Sequence, residues 1–388
     1  MVLVILFYIK VGVGILYGLY FNLPKQQATA DTWRFYRESL PETQLLLHNP
    51  LLFVQSLFMH GYSQTGNLFI GKDSYWNDLK DNIIIKIFAV FNVLSQHNYY
   101  TNLIFFNFLF FFGLIAFYRL VKQYSISNNW LLIASVFLMP SFLFWGSGIH
   151  KDGLLFSAMG VLLYCIHQLM YQKTTAKFLF IGFLCFTLIF FVKSFIALAL
   201  IPAILSWWLA VKFNKHHQLY FIAVYTGFLL LIMAMSLLSN HYNPLFYLAN
   251  KQHEFLLLNG NSAIKVPNLQ PTLQSMIHYA PTAIDIALFR PHLKEAKNIA
   301  YDLSFAEILL NIGITLTFLW TIKNNRPIAP FFICCFYFGF SVLLLEGYTV
   351  TFVGAIVRYR SLVLPIIIAP MVAMISFKNV EERYPFYK

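Results

Sequence analysis

Charge is what this chain has least of. Only 11% of its 388 residues are Asp, Glu, Lys or Arg, less than half the share that a soluble domain carries. With 59% hydrophobic residues, 42 of them Phe, too little polar side chain exists to cover a water-facing surface. That excludes a soluble globular protein and leaves an integral membrane protein. Segments of about ten alternating residues are missing too, which argues against a β-barrel. The apolar runs therefore read as α-helices, whose backbone groups are satisfied internally.

Other absences narrow the reading further. No basic arm or aromatic-basic repeat accompanies the net charge of +12, so a nucleic-acid partner is not expected. Cysteine is scarce, and Cys165, Cys185, Cys334 and Cys335 all lie inside apolar runs. They lack metal-ligand spacing with His and read as small packing residues. No cationic segment precedes the first apolar run, and Lys10 interrupts it. The first helix is therefore expected to be retained, although "ATA" at 28–30 resembles a signal-peptidase site. Internal repeats and low-complexity tracts are lacking.

What is present is a series of apolar runs. They predict an all-α polytopic membrane protein, a single integral membrane domain over 1–388 with about ten transmembrane helices: 2–21, 101–120, 129–146, 153–171, 178–192, 194–211, 218–238, 304–322, 328–345 and 361–377. The fifth and sixth are short and meet at Lys193-Ser194, where a re-entrant hairpin is the alternative. Four short loops carry Arg119/Lys122, Lys173/Lys177, Lys212/Lys215 and Lys323/Arg326 and no acid. By the positive-inside rule these loops and the tail 378–388 are cytoplasmic. The outer side then receives 22–100, 147–152, 239–303 and 346–360, with most of the fifteen acids. Within 22–100, Ile83 to Ser95 follows Asp81/Asn82 and is too short to span, so a capped interfacial helix is expected there. "PTAIDIALFRPHLKEAKN" predicts a second such helix, broken at Pro291.

Ionisable groups on the outer side gather at five places. These are Asp31 with Arg34, Tyr36, Arg37 and Glu38; His150-Lys151-Asp152 within "FWGSGIHKDG"; Lys193; Arg290, His292, Lys294 and Glu295; and Arg358 and Arg360 in "RYR". Charges at a membrane-embedded turn are expensive unless used or wetted. Each also has a bland reading. Asp31 is a solvated loop acid, Asp152 a helix cap, Lys193 a snorkelling side chain and the arginines headgroup anchors. Lys10, placed mid-span, should face the helix bundle.

These motifs, in this order, resemble the GT-C superfamily of polytopic glycosyltransferases. "ADTWRFYRES" offers an acid shortly after helix one, "PSFLFWGSGIHKDGLLF" a Pro140…Asp152 pattern, and "RYRSLVLPIIIAP" an aromatic-arginine motif with prolines. The chain is also similar to bacterial cell-surface polysaccharide membrane proteins. The resemblance implies a GT-C-like fold in the bacterial cytoplasmic membrane, with its site facing the periplasm or exterior. It implies transfer of a sugar from a polyprenyl-phosphate-linked donor to a glycan, lipid or protein acceptor. In that reaction an attacking hydroxyl needs a base, and fixed cations stabilise the departing phosphate. Asp31 is the expected base, with Asp152 as a second catalytic candidate. Tyr36, His150, Lys151, Lys193, Arg290, Arg358 and Arg360 are the expected substrate-binding residues, and membrane lipids surround the site. These residues name no certain cofactor. A divalent cation, Mg²⁺ or Mn²⁺, remains open, although the first loop has no Asp-x-Asp. The alternatives are a polysaccharide polymerase or ligase using the loop 239–303, and a non-enzymatic transporter or flippase for lipid-linked sugar.

Overall fold

A computed structural model of the chain describes residues 1–24, 31–59, 75–171, 175–237, 243–258, 260, 262–295, 298–322 and 328–375. The "ATA" tripeptide at 28–30, the loop cations Lys173, Lys323 and Arg326, and the tail 378–388 lie outside these residues. Among the described residues the fold is all-helical, with sixteen α-helices and no sheet. We number them α1 (Val2–Tyr20), α2 (Asp31–His48), α3 (Pro50–Gln55), α4 (Tyr75–Ser95), α5 (Tyr99–Gln123), α6 (Asn129–Phe137), α7 (Pro140–Trp145), α8 (Lys151–Tyr171), α9 (Ala176–Val192), α10 (Ser194–Phe213), α11 (His217–Ser236), α12 (Pro244–Leu256), α13 (Leu273–Phe289), α14 (Ile299–Thr321), α15 (Pro330–Thr349) and α16 (Val353–Met374).

Eight of these helices are long and apolar enough to cross a membrane: α1, α5, α8, α10, α11, α14, α15 and α16. The chain is a multi-pass membrane protein with about eight candidate spans, fewer than the ten expected. The difference arises at two places. The run 129–146 is not one helix. Pro140 has no N–H and disfavours helical geometry in the residue before it; α6 therefore ends at Phe137, and Pro140 opens α7 at a position proline favours. The run at 178–192 forms α9, whose 17 residues extend only about 25 Å.

Two helix starts also differ from expectation. The last helix begins at Val353 rather than 361, so "RYR" lies inside it. Val353, Ile356, Val357 and Arg360 are all buried, at i, i+3, i+4 and i+7, which is the spacing of one helix face. The helix expected from Ile83 begins at Tyr75. Asp81 and Asn82 are thus inside α4 and do not cap it.

The chain divides into two compact units, residues 1–117 with 140–201, and 118–139 with 202–388. In the first, Phe35, Ile84, Phe88, Tyr99, Leu103, Phe106, Phe110 and Ile149 form the apolar core. Trp33 stacks on Tyr99 with centroids 4.0 Å apart. A buried polar chain ties α2, α4 and α5: Asn92 Nδ2 donates to Ser39 Oγ (2.9 Å) and Thr43 Oγ1 (3.0 Å), and Asn102 Nδ2 donates to Asn92 Oδ1 (2.6 Å). In the second unit α15 and α16 are the most buried of the candidate spans. The Tyr348 hydroxyl on α15 donates to the Met276 carbonyl on α13 (2.8 Å). The segment before α13 pairs with the α15–α16 turn through Ile264 N to Thr351 O, 2.8 Å, and Val353 N to Ser262 O, 2.9 Å.

Candidate functional site

The turn between α7 and α8 is the meeting point of the first unit. Its backbone leaves helical geometry at Gly146 to His150, inside a membrane protein where unsatisfied carbonyls are costly. Two side chains from neighbouring helices satisfy it. Lys10 Nζ, on α1, donates to the Gly146 carbonyl (2.5 Å) and to Ser147 Oγ (3.2 Å). Asn107 Nδ2, on α5, donates to the Ser147 carbonyl (2.8 Å). Lys10 therefore faces the bundle, as its position mid-span requires. The turn comes so close to α1 that a Cβ on Gly148 would lie 2.5 Å from the Tyr17 ring. His150 is buried between Tyr17 and Trp145.

Past this turn, consecutive charges diverge. Lys151 and Asp152 do not pair with each other. Lys151 Nζ donates to Asp81 Oδ1 on α4. Asp152 Oδ1 accepts from Lys193 Nζ (2.9 Å), and its Oδ2 lies 3.6 Å from His150 Nδ1. Lys193 separates α9 from α10, so its ion pair closes that junction onto the start of α8. The other oxygen of Asp81, Oδ2, accepts from Arg34 Nη2 on α2 (2.5 Å). Arg34 in turn lies 3.8 Å from Asp31 and 4.0 Å from Glu38. One carboxylate thus holds two cations, one per oxygen.

Electrostatics follow from this arrangement. Burial works to raise the Asp81 carboxyl, but the attraction and hydrogen bonds of Lys151 and Arg34 outweigh it and hold the group below the ordinary carboxylate value. Burial works against the Arg34 charge, but Asp81, followed by Glu38 and Asp31, holds the guanidinium above its usual value. Exposure decreases inward. The side chains of Arg34 and Asp31 are 43% and 35% exposed, Lys151 20%, and Asp152 only 3%. The most exposed members of this network are Glu38, Arg34 and Asp31, all on α2.

The remaining expected site residues have mixed settings. The Tyr36 hydroxyl donates to the His97 carbonyl (2.7 Å) and so holds the α4–α5 turn. Arg290 ends α13 and binds Asp285 (3.1 Å) and Glu295 (2.6 Å), while His292 Nε2 lies 2.9 Å from Asp285. This second cluster belongs to the second unit, as do Arg358 and Arg360. Arg358 is half-buried, with its guanidinium 5.9 Å from the Tyr359 ring. Arg360 is buried and donates to the last carbonyls of α13.

Sequence reasoning missed Asp81 as a member of the network, because it treated that acid as a cap. Its partners are 47 and 70 residues away, and no local signal marks them. Among the described residues, no three His, Cys, Asp or Glu side chains are grouped to hold a metal ion. No family model, curated protein or solved structure matches the chain. The helices by themselves support a polytopic all-helical membrane protein.

Proposed function

We propose that this protein is a GT-C-type glycosyltransferase that moves a sugar from a polyprenyl-phosphate-linked donor to an acceptor at the outer face of the membrane. The observation that carries the reading is the half-exposed Asp31 carboxylate beside Arg34, on a network tied through Asp81 to Lys151. In the reaction an acceptor hydroxyl attacks the anomeric carbon and gives its proton to Asp31. The bond from that carbon to the phosphate oxygen breaks, and its electron pair leaves with the polyprenyl phosphate. Arg34 and Lys151 are the cations near enough to Asp31's network to stabilise that charge, and both would share themselves between Asp81 and the phosphate.

The ion pairs also support ten crossings with a single outer face. Asp81 joins α4 to the start of α8, and Lys193 joins the α9–α10 junction to the same point. If α1 and α5 cross, the chain returns to that level only by crossing again through α6 and α7. It likewise leaves along α8 and comes back along α9. Short crossings of this kind are accommodated by local thinning of the bilayer.

Turnover of radiolabelled polyprenyl-phosphate-linked hexoses by the purified protein in lipid nanodiscs tests the reading. Asp31→Asn should abolish release of polyprenyl phosphate without loss of folded protein. Undiminished transfer by Asp31→Asn would overturn it. The cluster Asp285, Arg290, His292 and Glu295 favours a second reading, a polymerase or ligase acting on lipid-linked glycan from the loop after α13. There His292→Ala, and not Asp31→Asn, should abolish chain extension.

A further inference from the structure

Cations in this chain have two kinds of setting. Arg34, Lys86, Lys151, Lys193, Lys251 and Arg290 each meet a carboxylate. Arg119, Lys122, Lys212 and Lys215, from two of the basic loops, are exposed and form no ion pair among the described residues. The sequence gives the reason, since it has no acid from 82 to 151 or from 153 to 253. Two of these lysines meet aromatic rings instead. Lys212 Nζ lies 4.7 Å from the Trp208 centroid and 5.8 Å from that of Phe213. Lys122 Nζ lies 5.8 Å from that of Tyr118. A stem laid along a ring is fixed while its ammonium stays available to an outside anion.

These side chains lie at one end of the second unit. Lys122 and Lys212 are in the last turns of α5 and α10, where the helix carbonyls favour a cation. Tyr124, just past α5, packs on Phe331 at 5.9 Å, and Trp207 on α10 packs on the same ring at 5.2 Å. Phe331 is in the first turn of α15. The Ile126 N–H donates to the Ala373 carbonyl (2.9 Å), which brings the end of α16 here as well. Asn214 and His216, both left-handed, turn the chain back into α11, and Phe213 stacks on Tyr220 with centroids 5.4 Å apart. Five candidate spans therefore have an end at this level, which marks it as a membrane boundary.

Basic loops on one side serve insertion and need no ligand for that. The α10–α11 turn has more than charge. Its lysines have no internal countercharge, Trp208 and Phe213 are exposed beside Lys212, and Leu219 and Ile222 continue an exposed apolar surface along α11. Exposed tryptophan favours the headgroup level, and in a multi-pass protein the leucine and isoleucine face acyl chains. A phosphate at the ammoniums and acyl chains along α11 would use all of these features. A soluble acidic partner would leave the apolar ones unused. We propose that the α10–α11 turn, through Lys212, Lys215, Trp208 and Phe213, is a docking surface for an anionic phospholipid of the surrounding membrane. The assignment does not depend on the transferase reading.

Tryptophan quenching by brominated lipids tests it on the full-length protein in nanodiscs. The signal of Trp208 is the difference between wild type and Trp208→Phe. At matched mole fraction, brominated phosphatidylglycerol should quench that signal in preference to brominated phosphatidylcholine. A lysine near an anionic lipid favours it by about fivefold, so the two should give a preference of roughly twentyfold. Lys212→Gln/Lys215→Gln should reduce it to no more than about twofold. Lys212→Arg should retain it, and so should Lys251→Gln, which removes an exposed lysine held by Glu254. Equal quenching by the two lipids in the wild type overturns the proposal. So does a preference that survives in the double variant. Loss of the preference on adding inorganic phosphate, but not sodium chloride of equal ionic strength, would assign the turn to a free anion and overturn it too.

Discussion

Replacing Asp81 with Asn removes a charge and keeps the shape of the side chain. The carboxylate has two partners of different depth. Lys151 is 20% exposed and Arg34 43%. A hydrogen bond to a charged group contributes about 1.5–3 kcal/mol when shielded from water, and an exposed ion pair about 0–1 kcal/mol. Lys151 belongs nearer the first range and Arg34 the second. Allowing for the one acceptor that Asn retains, Asp81→Asn should destabilise the fold by about 2 kcal/mol. The sharper expectation is the split. In double-mutant cycles, Asp81/Lys151 should couple by about 1 kcal/mol, and Asp81/Arg34 by a few tenths. Reversible SDS-induced unfolding in mixed micelles measures both. Because the folded Asp81 carboxyl lies below its ordinary value, its contribution is fully present above the unfolded pKa of about 4. It is lost as pH falls through the lower folded value. The difference between wild type and variant should thus be level from about pH 5 to 8 and shrink below about pH 4. No coupling to Lys151, or a larger coupling to Arg34, would refute the reasoning from burial.

Three further substitutions probe the turn beside this network. Lys10→Met leaves the Gly146 carbonyl without its donor and should destabilise the fold by about 1–3 kcal/mol. Insertion of α1 should improve at the same time, since mid-span lysine is unfavourable by about 2.5–3.5 kcal/mol; unfolding and insertion assays separate the two effects. Lys193→Met removes the ammonium from the buried Asp152 and should cost about 3–5 kcal/mol, most of it regained in the Lys193→Met/Asp152→Asn double variant. Gly148→Ala drives a methyl into the Tyr17 ring, 2.5 Å away. It should cost about 1–3 kcal/mol by thermal unfolding, and Tyr17→Ala should relieve it.

The long apolar helices were legible because composition and helical period act together over about twenty residues. The Lys193-Ser194 junction and the end of α13 before Pro291 were legible for the same local reasons, a charge or a proline interrupting an apolar run. The two misread helix starts share one physical cause. An ionisable residue was taken to end an apolar run, yet Asp81 lies within α4 and Arg360 within α16. A charge can continue a buried helix face when a partner from another helix meets it. Lys10 finds the turn carbonyl 136 residues away, and Lys193 finds Asp152 at 41. No spacing rule within one helix anticipates such pairs, so candidate residues could be nominated from the sequence while their partners could not.

The pairing pattern bears on which charges are free to do chemistry. Asp152, Lys193 and His150 sit innermost, and Lys10 and Asn107 are committed to the turn's backbone. Moving any of them would expose carbonyls or strand a buried charge, so they form a framework. Asp81 and Lys151 connect that framework to α2, where Arg34 and Asp31, beside Glu38, are well exposed. A ligand can engage those two without dismantling the fold. The transferase reading therefore requires that Asp31 and Arg34 variants lose activity while remaining stable, and that framework variants lose stability first. Asp152, nominated from its sequence position as a second catalytic acid, falls on the framework side of that division. An Asp152→Asn protein that stays folded through the retained neighbours of α8 should keep a substantial share of transfer, whereas Asp31→Asn should keep none.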